Sequence, residues 1–66
     1  MILIINGQPQ QFSQPLRVDQ LLAELDLSGK RLAIELNGNI IPRSEFSAVI
    51  LQDNDRLEIV VAVGGG

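Results

Sequence analysis

The sequence predicts an α+β fold: a mixed β-sheet with one short helix covering one face, ending in a flexible run of glycines. Three observations predict it. Two Asn-Gly pairs, Asn6-Gly7 and Asn37-Gly38, each lie between β-rich runs, where they supply the positive φ values of tight hairpin turns. One stretch alone, VDQLLAEL, has helical spacing. The last β-rich run, RLEIVVAV, passes without a linker into Gly64, Gly65 and Gly66. The expected organisation is one domain over residues 1–63 and a tail over residues 64–66.

The elements follow in order. ILIIN opens the chain as a strand, and QPQQF returns from the first Asn-Gly turn as a weaker strand, with Pro9 suited to a sheet edge. In VDQLLAEL, Val18, Leu21, Leu22 and Leu25 stand at i, i+3, i+4 and i+7 and so share one helix face. Asp19 suits the positive helix start, and Gly29 is the expected C-cap. Two turns of helix are marginal in isolation, so this face packs on the sheet. RLAIELNG alternates, with Leu32, Ile34 and Leu36 on one side and Ala33 and Glu35 on the other. NII is a short return, PRSEF a turn or helical connector, and AVIL another short strand. DND, residues 53–55, is a plain turn: it lacks the glycine and the distant bidentate Glu of a calcium loop. In the last strand Leu57, Ile59, Val61 and Val63 share a face, and Glu58, Val60 and Ala62 share the other. The order is β-β-α-β-β-(β). The core face is expected to hold Leu21, Leu22, Leu25, Leu32, Ile34, Leu36, Leu57 and Ile59. The opposite face is open, and Val60 and Ala62 are apolar on it. With Ile2 or Ile4 of the adjacent first strand they are expected to form a partner-docking patch beside the tail.

Composition narrows the function. The chain has 66 residues, 45% hydrophobic, with neither cysteine nor histidine, which excludes disulfides and zinc sites built on those residues. Its charge balance is five Lys/Arg against eight Asp/Glu, with two aromatics, Phe12 and Phe46. That pattern has neither the basic face nor the stacking aromatics of a nucleic-acid binder. No apolar run is long enough for a membrane helix. A cysteine-free chain without a signal peptide fits the cytoplasm. Without His or Cys the usual nucleophile–base pairs are missing, and no glycine cluster has the strand-loop-helix setting of a phosphate loop. The sequence therefore points away from an enzyme and from a bound cofactor or metal.

The tail suggests a different chemistry. Three consecutive glycines at a given place arise by chance about 3 times in 10,000, so the competing reading is a linker at which a longer protein was trimmed. A carboxylate at Gly66 is ionised at neutral pH and is a poor electrophile until another protein activates it. Glycine has no Cβ, so such an arm can thread a narrow channel in any backbone conformation. A recognisable body, a thin arm and a reactive terminus make a carrier.

The hairpin, single helix, later strands and Gly65-Gly66 together resemble the ubiquitin-like β-grasp family over the whole chain. Within it, the short length, acidic composition and terminal GGG look most like the sulfur carrier proteins of thiamin biosynthesis. NGNIIPR, residues 37–43, is similar to the N-x-x-I-V-P-R stretch of those carriers, and Val60 matches an exposed valine of ubiquitin's binding patch. Where ubiquitin has an arginine-rich lead into its glycines, this chain has VAV, which argues for a carrier docking by apolar contacts. The resemblance implies that a ubiquitin-activating-type enzyme uses ATP to adenylate the Gly66 carboxylate. Sulfur from a cysteine desulfurase system then leaves a thiocarboxylate, which thiazole synthase consumes. Gly66 is then the site of chemistry, Gly64 and Gly65 the arm, and Val60, Ala62, Ile2 and Ile4 the docking residues. The alternatives are the small subunit of molybdopterin synthase and a non-reactive β-grasp interaction module.

Overall fold

The computed structural model describes residues 1–62. Strands β1 (Ile2–Ile5) and β2 (Gln8–Gln11) form the first hairpin, helix α1 (Val18–Glu24) follows, β3 (Leu32–Leu36) and β4 (Asn39–Ile41) form the second hairpin, and β5 (Arg56–Val61) ends the fold. The sheet order is β2-β1-β5-β3-β4. β5 lies in the middle, parallel to β1 and antiparallel to β3. Pro9 falls in β2, an edge strand, where its missing N–H costs no ladder bond.

Both Asn-Gly pairs turn their hairpins with positive φ at both residues, +50° and +81° at Asn6 and Gly7, +50° and +88° at Asn37 and Gly38. A Cβ on Gly38 would meet no atom within 4 Å. Gly38→Ala is therefore expected to cost about 1–2 kcal/mol from backbone strain alone, read as a lowered denaturant midpoint with an unchanged slope.

The two asparagines also hold the central strand. The Asn6 side chain accepts from the Ile59 N–H at 2.8 Å and donates to the Ile59 carbonyl at 3.1 Å. It thereby continues the β1–β5 contact past the end of their ladder. On the other side of β5, the Asn37 side chain accepts from the Arg56 N–H at 3.0 Å and donates to Asp55 Oδ1 at 3.0 Å. Asn6→Ala leaves two part-buried backbone groups without these partners. It is expected to cost about 1–3 kcal/mol, measurable by equilibrium denaturation, whereas Asn6→Asp restores only the acceptor half.

The helix start is satisfied from elsewhere in the chain. The N–H groups of Val18 and Asp19, which have no intrahelical partner, donate to the carbonyls of Val49 and Phe46 at 3.1 and 3.0 Å. The Gln20 side chain accepts from the Arg17 N–H at 2.8 Å. Arg17 also pairs with Asp19 at 3.0 Å; its hydrogen bond holds the Asp19 carboxyl below the usual aspartate range. The pair is exposed and in water contributes little.

Two expectations need correction. The C-cap is not at Gly29. Asp26 takes the left-handed conformation (φ +60°) directly after the helix, and the N–H groups of Asp26 and Leu27 close on the carbonyls of Ala23 and Leu22. This is a Schellman ending, and it brings Leu27 back toward Leu22. AVIL does not form a strand: Ile50 makes one isolated antiparallel bridge with Arg17. Val61, expected to share a face with Leu57 and Ile59 but not counted in the core, is 38% exposed: at the end of β5 it pairs with Leu32 of β3, while the β1 ladder has already ended at Leu57. Val63, also expected on that face, lies outside the described residues, as does the expected boundary between domain and tail.

The core lies between the sheet and α1. Leu21, Leu22, Ile34, Leu57 and Ile59 are buried as expected. Leu25, Leu32 and Leu36 pack against that core from its margin, half-buried. Leu3 and Ile5 of β1, Val18 of α1 and Ile41 of β4, with Leu16, Phe46 and Leu51 from the connections, complete it. The connection after β4 is thus a structural wall rather than a surface loop. No helix among the described residues is long and apolar enough to cross a membrane.

Candidate docking face and chain exit

The sheet face away from α1 is built by strand alternation and can be read row by row from the strand register. Ile4 lies opposite Arg56. Glu58 lies opposite Glu35, which lies opposite Ile40. Val60 lies opposite Ala33. The Ala62 N–H then donates to the Arg31 carbonyl at 2.8 Å, a last cross-strand bond before the chain leaves the described fold.

Val60 is 66% exposed, Ile40 is 73% exposed, and Ala62 is exposed. Ile2 and Ile4 are half-buried on the same face. The four residues expected to form one docking patch share this face but not one spot on it. Ile4 is level with Arg56, four residues before Val60, about 13 Å along the strand. Val60 and Ala62 instead adjoin Arg31, Leu32, Ala33 and Arg43 around a shallow depression of about 350 Å³. Gly64, Gly65 and Gly66 lie outside the described residues.

Ile40 is an exposed residue of this face that the sequence does not single out. The signal was present: NII pairs two isoleucines in a strand, and the two-residue period forces one of them out of the core. Ile41 is buried and Ile40 is not. Among the described residues, no group of three or more His, Cys, Asp or Glu side chains is placed to hold a metal ion.

A five-stranded mixed sheet with one helix covering one face and the other face open defines the class: a ubiquitin-like β-grasp domain. Residues 3–66 match the family model described as the ThiS family, and the chain belongs to that family. The crystal structure of the thiamine biosynthesis protein ThiS from Geobacter metallireducens superposes with a TM-score of 0.85 at 33% identity, covering all of both chains. The sulfur carrier protein ThiS of Escherichia coli is 30% identical, again over all of both chains. The thiazole synthase of Paramagnetospirillum magneticum is 42% identical over the whole of this chain, which spans 20% of that protein's length.

Proposed function

We propose that the chain is a sulfur carrier of thiamin biosynthesis and that the Gly66 carboxylate is the group that carries sulfur. The observation that carries this reading is the family match, which runs over residues 3–66 and so takes in the glycine end. The names of its relatives agree: a sulfur carrier protein matched end to end, and a thiazole synthase containing a segment like this chain.

The chemistry follows from what a carboxylate can do. A Gly66 oxygen attacks the α-phosphate of ATP in a ubiquitin-activating-type adenylating enzyme, and pyrophosphate leaves. A persulfide sulfur, supplied by a cysteine desulfurase system, displaces AMP at the acyl carbon. Cleavage of that acyl disulfide by a thiol leaves the thiocarboxylate, a soft nucleophile at neutral pH, which thiazole synthase takes up. The carrier supplies the terminus and a surface to grip; the catalytic groups, and the ATP, belong to the partners, which places the chain among protein co-substrates rather than enzymes. Gly64 and Gly65 act as the arm, and the cytoplasm is where such partners would meet it.

The test is an intact mass after incubation with ATP, a persulfide donor, a thiol and the adenylating enzyme. A mass gain equal to sulfur replacing one oxygen, localised to the C-terminal peptide, supports the reading; an unchanged mass with an active enzyme overturns it.

Val60 gives a second check. Val60→Asp places an unpaired charge in the docking surface. It should weaken binding to the adenylating enzyme by about tenfold or more, 1.4 kcal/mol, with circular dichroism and thermal midpoint unchanged because the side chain is 66% exposed. Retained binding with a lowered midpoint would make Val60 a structural residue instead.

A further inference from the structure

The two hairpins flank β5 alike, yet different atoms hold their Asn-Gly turns to it. β1 and β3 are the neighbours of β5, with β2 and β4 at the edges. In an Asn-Gly pair the glycine nitrogen can attack the asparagine side-chain carbonyl carbon, and glycine has no Cβ to obstruct the approach. A Cβ would meet nothing within 4 Å at Gly7 or at Gly38, so the surrounding fold walls off neither turn. The other two asparagines, Asn39 and Asn54, precede Ile40 and Asp55, whose side chains hinder the same attack. Hydrogen bonds, rather than bulk, restrain the two turn amides. At Asn6 both amide atoms bond the Ile59 backbone, Oδ1 at 2.8 Å and Nδ2 at 3.1 Å, and both bonds are part-buried. At Asn37 the Oδ1 accepts from the Arg56 N–H and the Nδ2 donates to Asp55 Oδ1, each at 3.0 Å and each exposed. Turning the Asn37 carbonyl carbon toward the Gly38 nitrogen breaks both of these bonds, and water competes for both.

We propose that Asn37 is a site of spontaneous modification, losing its amide when the β3–β4 turn opens, while Asn6 is protected by its grip on Ile59. The step needs only water. The Gly38 nitrogen gives up its proton and bonds to the Asn37 side-chain carbonyl carbon; the bond from that carbon to Nδ2 breaks, and ammonia leaves. Water then opens the cyclic imide at either carbonyl, giving aspartate or isoaspartate. Neither product restores the full grip on β5. In the aspartate a carboxylate oxygen stands where Nδ2 stood, against Asp55 Oδ1, so a hydrogen bond becomes a repulsion between like charges. Asp55 is itself held in place, because its Oδ2 accepts from the Gln52 N–H at 2.8 Å. In isoaspartate the backbone gains a methylene, which breaks the geometry of the two-residue turn joining Leu36 to Asn39. The modification is therefore one-way and self-reinforcing: a modified turn opens more easily, and the hold on Arg56, where β5 begins, weakens. The inference concerns the folded body and holds whatever the glycine end carries.

The experiment follows both Asn-Gly peptides of the same molecule by mass spectrometry during incubation at neutral pH. The samples are wild type in buffer, wild type in urea, and Asp55→Ala in buffer. Conversion is read as the mass change from amide to acid, and the two isomeric products are separated by chromatography. In urea the two sites should convert at similar rates. In the folded wild type Asn37 should convert about fivefold faster than Asn6 or more, because local opening sets the rate at each. Asp55→Ala should speed Asn37 by about fivefold, the worth of one hydrogen bond, and leave Asn6 unchanged. Asn6 is thus the internal control for global unfolding. Equal conversion of the two sites in the folded wild type overturns the proposal, as does equal acceleration of both by Asp55→Ala. Thermal midpoints test the consequence. Asn37→Asp should lower the midpoint more than Asn37→Ala, and Asn37→Asp/Asp55→Asn should recover most of the loss, because donor and acceptor then trade places across the same contact. A midpoint for Asn37→Asp at or above that of Asn37→Ala would overturn the self-reinforcing step.

Discussion

A single alanine added after Gly66 should abolish sulfur loading. The reacting carboxylate would then sit about 3.5 Å farther along an extended chain, and a misplacement of about 1 Å in an aligned site can cost 100-fold in rate. Gly65→Val should block loading for a different reason, because a branched Cβ both widens the arm and narrows its backbone choices. Neither change touches the described fold: among the described residues every buried one lies at or before Ile59, and the last cross-strand bond is that of Ala62 to Arg31. Circular dichroism and thermal midpoint should therefore match wild type. The measurement is ATP–pyrophosphate exchange catalysed by the adenylating enzyme, because it reports carboxylate activation before any sulfur is involved. Full exchange in both variants would remove Gly66 as the reacting group and favour a glycine linker. Loss of exchange in a folded protein leaves the linker reading without an account of the effect.

The fold was legible where one local pattern had one meaning. Asn-Gly between β-rich runs marked both hairpins, and the i, i+3, i+4 spacing placed Leu21 and Leu22 in the core. Legibility failed where several conformations satisfy the same residues. ILII is apolar on both faces, so alternation alone does not assign Leu3 and Ile5 inward; the helix on one side of the sheet does. Gly29 was the natural stop for the helix, yet Asp tolerates the left-handed region well enough for the chain to turn three residues earlier at Asp26. Phe46 and Leu51 lie in a stretch without regular period, and they are buried because that stretch supplies carbonyl partners to the helix start. The sequence marks the asparagines only as turn formers; their second role, holding β5 from both sides, depends on which strand the sheet places beside them. The same holds for the open sheet face. Val60 was legible as an apolar residue on a polar face, while the opposition of Glu35 and Glu58 exists only once β3 and β5 are paired in register.

Leu21→Ala should unfold most of the protein near its working temperature. Leu21 is fully buried, and its removal forfeits both the transfer free energy of the side chain and the contacts lining the cavity left behind, about 2–5 kcal/mol in total. A domain of this size is held by about 5 kcal/mol, since a small core leaves a large share of its surface exposed. The loss is therefore comparable to the whole. α1 cannot recover it locally, because seven residues are too few to stay helical without the packing they lose. Leu25, on the same helix face but half-buried at the margin of the core, provides the internal comparison. Leu25→Ala should cost clearly less, because its neighbours and water can fill the space. The pair separates two explanations that a single variant would confuse. If stability depended on helix propensity, both substitutions would be neutral or stabilising, since alanine is the better helix former. If it depends on packing, the denaturant midpoint should fall far more for Leu21 than for Leu25. Equal midpoints for the two variants would mean that the burial gradient along α1 has been assigned to the wrong turn.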